Sequence, residues 1–169
     1  MNEKTSASRQ QFRDAMARLG AAVNIITTAG AEGDAGFTAS AVCSVTDDPP
    51  TLLVCVNKNA SQHDAILAAG FLCVNVLTHE QQELSPVFAG AGNVPMAERF
   101  TRATWLRLAT GAPVLESAAA AFDCEISQVV EVGTHSVIFC AVRAIHLGAA
   151  DSGLIYHARA YHKVGPGQV

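Results

Sequence analysis

The sequence predicts a mainly β protein, an antiparallel barrel with peripheral helices. Short β-branched or apolar runs outnumber helical ones. Most of these runs lie too close together for βαβ crossovers, which need about a dozen residues or more. No G-x-G-x-x-G follows a strand, which argues against a Rossmann domain.

The elements follow in order. Residues 8–19 read as a helix, because Phe12, Ala15, Met16 and Leu19 fall at i, i+3, i+4 and i+7 on one face. Ser8 with Gln11 is a capping-box pattern, and Gly20 ends the helix. Residues 21–28 are strand-like, and the turn AGAEGD leads as a hairpin into a strand over 35–46. The run 51–56 is unbroken and apolar, which predicts burial on both faces. A short helix over 61–69 ends at Gly70, with Ser61 as N-cap and Asp64 at the capping-box position. A strand over 71–77 follows. Thr78 and Gln81 cap a second short helix that Pro86 strains or kinks. Residues 89–95 (AGAGNVP) form a loop and 96–100 a helical turn. Residues 122–132 and 136–147 form a long hairpin across Gly133-Thr134, and 161–164 closes the sheet.

Composition bounds the function. A chain of 169 residues is expected to be one domain, 1–169, with its core at about 12–164. Half of it is hydrophobic, enough for a core without disulfide staples. A net charge of −4 offers no basic surface to nucleic acid. No apolar run is long enough to span a bilayer, and the start MNEKTSASRQ lacks an apolar signal region. The five cysteines are odd in number, show no C-x-x-C spacing and sit in apolar strand-like runs. They read as buried hydrophobes in a reducing compartment, hence a cytoplasmic location. Cys43 differs from the others because it lies in the strand singled out next. The histidines are scattered, with no H-E-x-x-H or Cys/His cluster, so no metal is expected. The absence of G-x-S-x-G gives no support to a hydrolase.

The stretch 36–64 carries the chemistry. GFTASAVCSVTDDPP is a strand of small and hydroxyl side chains, and TLLVCVNKNASQHD is an apolar strand followed by a polar loop at a helix start. Small side chains at Thr38, Ala39, Ser40, Ala41, Cys43 and Ser44 let a flat ring lie against backbone polar groups. The bland alternative is a strand with one wet face. Asn57, Lys58, Asn59 and Ser61 suit a phosphate, since helix-start N–H groups bind anions and Lys58 adds a point charge. Ser61 could equally serve as a plain cap. A ring at one end and a phosphate at the other describe flavin mononucleotide.

At these residues the chain also resembles the short-chain flavin reductases, the NAD(P)H:flavin oxidoreductase partners of two-component monooxygenases. FRDAMARLGAAVNIITT, FLCVNVLTHEQQEL, MAERF, VGTHSVIFCAV and GLIYHARAYHKV are similar to family segments in family order. The likeness runs from about Phe12 to His162. It implies the FMN-binding split β-barrel, a Greek-key barrel that forms a homodimer with flavin near the subunit interface. It implies FMN or FAD as flavin, NADH or NADPH as hydride donor, and a flavin-dependent monooxygenase as recipient of reduced flavin. It places Gly133, Thr134 and His135 at the nicotinamide, with His135 orienting that ring or supplying a proton to the reduced flavin. Ala89 and Gly90, with Phe88, Arg99 and Phe100, would cover the flavin, and Tyr161 would end the nicotinamide side. Relatives tend to carry an aromatic and a charged residue where this chain has His157 and Ala158. The rival readings are a flavin-dependent oxidase of the pyridoxamine-phosphate-oxidase type, which needs basic residues for a second phosphate, and a non-catalytic flavin carrier.

Overall fold

A computed structural model describes residues 7–165; the polar start read above lies, as far as Ser6, outside them. Ser8 caps α1 (Arg9–Met16) with both halves of the capping box in place. The helix stops at Met16, short of the expected 19. Its apolar face is not buried: Phe12 is 62 % exposed, Met16 46 % and, just beyond the helix, Leu19 62 %.

Among the described residues twelve strands follow. They are β1 (Ala21–Ala22), β2 (Asn24–Gly30), β3 (Gly33–Ala39), β4 (Val42–Asp47), β5 (Pro50–Asn57), β6 (Phe71–Val76), β7 (Trp105–Arg107), β8 (Pro113–Leu115), β9 (Ala120–Val132), β10 (His135–Leu147), β11 (Gly153–His157) and β12 (Ala160–Val164). Three short helices punctuate them: α2 (His63–Ala69), α3 (Leu84–Phe88) and α4 (Met96–Phe100). The main sheet has seven strands in the order β3-β2-β6-β9-β10-β5-β4, and every pair in it is antiparallel.

The expected strand 35–46 is two strands. It breaks at Ser40-Ala41, where β3 leaves β2 and β4 joins β5 at the opposite edge. Asn24 holds the break by donating from Nδ2 to the carbonyls of Ala22 and Ala39. Opposite edges joined by so short a link force the sheet to curl until those edges approach. No ladder joins β3 to β4 among the described residues.

The run 51–56 is not buried on both faces. Leu52, Val54 and Val56 enter the core, whereas Leu53 and Cys55 are half-exposed and line an open cavity that also borders α1. Helix α2 starts at His63 behind Gln62, with no side-chain cap, so Ser61 is not its N-cap. Pro86 causes no kink. It sits in the first turn of α3, where its missing N–H has no intrahelical partner to lose. Residues 161–164 do not close the main sheet; they fall in β12, which pairs with β11 in a separate three-stranded sheet, β1-β11-β12. The hairpin β7–β8 carries no period-2 signal long enough to read.

Two apolar clusters fill the interior. Ile26, Val54, Val56, Ile66, Leu72 and Ile138 belong to one. Ile25, Leu77, Phe88, Val114, Leu115 and Leu154 belong to the other. The second is pinned by buried Asn75, which donates to the Ile25 carbonyl and Thr27 Oγ1 and accepts from the Leu115 N–H at 2.7 Å. Such fully satisfied buried amides fix strand position. Gly36 lets Phe88 approach β3. A Cβ there would lie 2.9 Å from the Ile26 carbonyl oxygen and 3.2 Å from the Phe88 ring.

Candidate active site

Residues 38–44 cross from one sheet edge to the other, and the crossing is what exposes them. The Thr38 hydroxyl is turned inward and donates to the Ser85 carbonyl at 2.6 Å. Ser85 Oγ lies 2.8 Å from the Tyr161 hydroxyl. Thr38, Ala39, Ser40, Ser85, Ala89 and Tyr161 line a small cavity of about 240 Å³. Ser40 also borders a larger cavity of about 1120 Å³, walled by Ala41, Cys43, Leu53, Cys55 and, from α1, Gln10, Arg13 and Met16. The side chains at Ser40, Ala41 and Cys43 are small, so a planar ligand in this cavity meets backbone. Burial, with Cys43 beside it, raises the Cys55 thiol above the usual range. Cys43 and Ser44 are exposed on β4.

The second part of the site lies further along β5. Cys55 N–H bonds to the Ala41 carbonyl, and Asn57 ends the strand two residues on, roughly 7 Å away. Asn57 Oδ1 accepts from the Asn59 N–H at 2.9 Å, which tightens the loop after β5. Asn57 pairs across the ladder with His135, and the Lys58 N–H bonds to the Thr134 carbonyl at 3.0 Å. The Asn57–Lys58 loop and the Gly133-Thr134 turn therefore form one unit. Gly133 has φ +55°, the left-handed value required at the first residue of a two-residue II′ hairpin turn. His135 is exposed, with Nδ1 2.9 Å from Thr134 Oγ1. Lys58 pairs with the Glu131 carboxylate. Lys58, then the Ser136 hydroxyl, hold that carboxyl below its ordinary range.

Thus Thr38, Ala39 and Ser40 meet Ala89 and Tyr161 on one side, while Asn57 and Lys58 meet Thr134 and His135 on the other. Tyr161 lines the small cavity, and His135 stands on the Gly133-Thr134 turn. Ser61 is exposed in a different groove, between α2 and the β2–β3 turn. Gly90, with φ +97°, follows α3 in the loop that Arg99 braces through the Val94 and Phe88 carbonyls. Sequence reasoning missed Ser85, Glu131, Ser136 and His63. Glu131 and Ser136 were discoverable, because a two-residue turn at Gly133-Thr134 puts them opposite each other. Nothing local marks Ser85 or His63. Among the described residues no group of three or more His, Cys, Asp or Glu is placed to hold a metal. No described helix is long and apolar enough to cross a membrane.

The chain belongs to the flavin reductase like domain family, whose model matches residues 16–165. It is 58 % identical over 156 residues to FMN reductase (NADH) RutF of Variovorax paradoxus, covering 92 % of this chain and 86 % of that one. The fold superposes on a putative flavin reductase from Haemophilus somnus with a TM-score of 0.90 at 49 % identity, covering 94 % of this chain and all of the other. The styrene monooxygenase flavin reductase of Pseudomonas putida gives a TM-score of 0.81 at 26 % identity, covering 93 % and 99 %.

Proposed function

We infer that this protein is an NADH-dependent FMN reductase. The observation that carries the inference is the crossing at Ser40-Ala41, which sets small, backbone-exposing residues at the mouth of a large cavity two residues along β5 from a Lys-bearing loop. The family supports the same activity. Bound flavin supplies the chemistry by accepting a hydride from the nicotinamide. The protein's own part is placement. Residues 38–44 orient the ring through backbone groups, and Asn57, Lys58 and Asn59 contact the phosphate, which Ser61 joins where the ligand reaches toward the groove beside α2. Gly133, Thr134, His135 and Tyr161 seat the nicotinamide, and Ala89 and Gly90 cover the flavin. Stacking two rings at the right separation accounts for most of such catalysis. His135 contributes orientation or a proton rather than an obligatory base.

The fold we propose is the Greek-key split barrel, as one domain over 1–169. A second copy of this chain covers the exposed apolar side formed by Phe12, Met16 and Leu19, together with Leu53 and Cys55, giving a homodimer with flavin near the interface. Patches of this kind on a protein surface mark association sites. FMN is the preferred flavin and NADH the preferred donor, with FAD and NADPH the weaker alternatives. Reduced flavin leaves for a flavin-dependent monooxygenase in the same, cytoplasmic compartment. The decisive assay follows NADH absorbance with and without free FMN. Oxidation is expected only when flavin is added. A protein that binds flavin but consumes neither NADH nor NADPH is a carrier, and the reductase assignment then fails.

A further inference from the structure

A chain of hydrogen bonds beneath the cationic loop has no part in the chemistry above. Asp64 Oδ1 lies 2.7 Å from His63 Nδ1, and His63 Nε2 lies 2.8 Å from Ser136 Oγ. Ser136 donates its only proton to Glu131 Oε1 at 2.7 Å, so it accepts from the imidazole. The other Glu131 oxygen pairs with Lys58 Nζ. Ser136 is fully buried and His63 nearly so. One oxygen of Glu131 is therefore anchored from inside the protein, and the other is presented to the lysine. The Lys58 N–H to Thr134 carbonyl bond holds the two segments in register. A surface ion pair between two free side chains would have no such anchor.

Resting on the assignment of Lys58 to the flavin phosphate, we propose that Glu131 is a built-in competitor for that phosphate and keeps FMN releasable. The anchored carboxylate occupies the ammonium before the ligand arrives. It also sets a negative charge beside an incoming dianion, and like charges at such range repel. An enzyme that must hand on its flavin gains from a charged contact weakened in this way. Glu131 acts through Lys58, so it is an affinity-setting residue and not a catalytic one.

The size of the effect follows from exposure. The Lys58 and Glu131 side chains are 39 % and 53 % exposed, so solvent screens the pair. Removing the carboxylate charge should tighten FMN by roughly three- to fivefold.

The test is fluorescence titration of the full chain with FMN and with riboflavin, at low and high salt, for wild type, Glu131→Gln, Glu131→Ala and Lys58→Ala. Melting temperatures confirm that each variant is folded. Both Glu131 variants should tighten FMN three- to fivefold and leave riboflavin within about 1.5-fold, and the gain should shrink at high salt. If Lys58→Ala weakens FMN selectively while the Glu131 variants leave the FMN-to-riboflavin ratio unchanged or lower it, the competitor role is overturned and the phosphate assignment stands. If Lys58→Ala affects both flavins equally, the phosphate assignment falls and the competitor role with it.

Discussion

In the proposed flavin site, the end assigned to the ring and the end assigned to the phosphate are held by different forces. At the ring end, Thr38, Ser85 and Tyr161 form neutral hydrogen bonds, part-buried, over an aromatic cluster of Phe88, Phe100 and Trp105. At the phosphate end, Lys58 and Glu131 are exposed, and the main side-chain contact is ionic. Neutral bonds shielded from water keep their geometry whatever the salt, whereas exposed ion pairs are screened and easily exchanged. A rigid seat for the ring and an adjustable grip on the phosphate suit a ligand that must be placed accurately and then let go.

Substitutions can break this contrast, and the largest expected effect is at the ring end. Gly36→Ala puts a methyl group 2.9 Å from a backbone oxygen that cannot move away cheaply. It should destabilise the fold by about 1–3 kcal/mol, read by chemical denaturation. Unaltered stability would mean that β3 is not braced by Phe88.

At the other end, Lys58→Ala with Ser61→Ala should leave stability nearly unchanged and weaken FMN roughly tenfold or more, since charge-assisted contacts are each worth about 1.5–3 kcal/mol. Riboflavin should be much less affected. Ser61 lies in a separate groove, so the single variants sharpen the test. Most of the loss is expected from Lys58, and an equal share from Ser61 would show that the ligand reaches across to α2.

His135→Ala should raise the apparent KM for NADH with a smaller fall in kcat, a loss of roughly 5–30-fold in kcat/KM. Flavin affinity should stay within a few-fold. Steady-state kinetics at saturating FMN, paired with a flavin titration, separate the two effects. A collapse of flavin binding in a folded variant would put His135 on the ring instead.

The smallest change is expected for Tyr161→Phe. It removes one hydrogen bond to Ser85 at 2.8 Å and should cost about 1 kcal/mol of stability. NADH kinetics of the same variant tell whether the hydroxyl also serves the nicotinamide. A change in KM with stability intact would move Tyr161 from the frame of the site into its binding surface.

The parts of the proposed site that the sequence offers are local ones. The small-residue run at Thr38–Ser44 and the polar loop at Asn57–Ser61 each announce themselves by composition. What they face was not legible. Ser85 touches Thr38 from 47 residues away, and His63 touches Ser136 from 73. Local pattern carries no trace of such pairs, so a buried serine reads as filler and a lone histidine as scatter.

The sequence by itself determined the kind of most of the longer elements. The capping box at Ser8 and Gln11, the β-branched runs, and Gly133 at a turn that needs positive φ are decided within a few residues of chain. Only the tertiary structure decided that residues 35–46 break at Ser40-Ala41, that the outer face of β5 stays open, and that β12 pairs away from the main sheet. The physical reason is that a strand's hydrogen bonds are made to partners distant in sequence. Which edge a strand joins, and therefore which side chains end up around a cavity, depends on the competition among all strands at once.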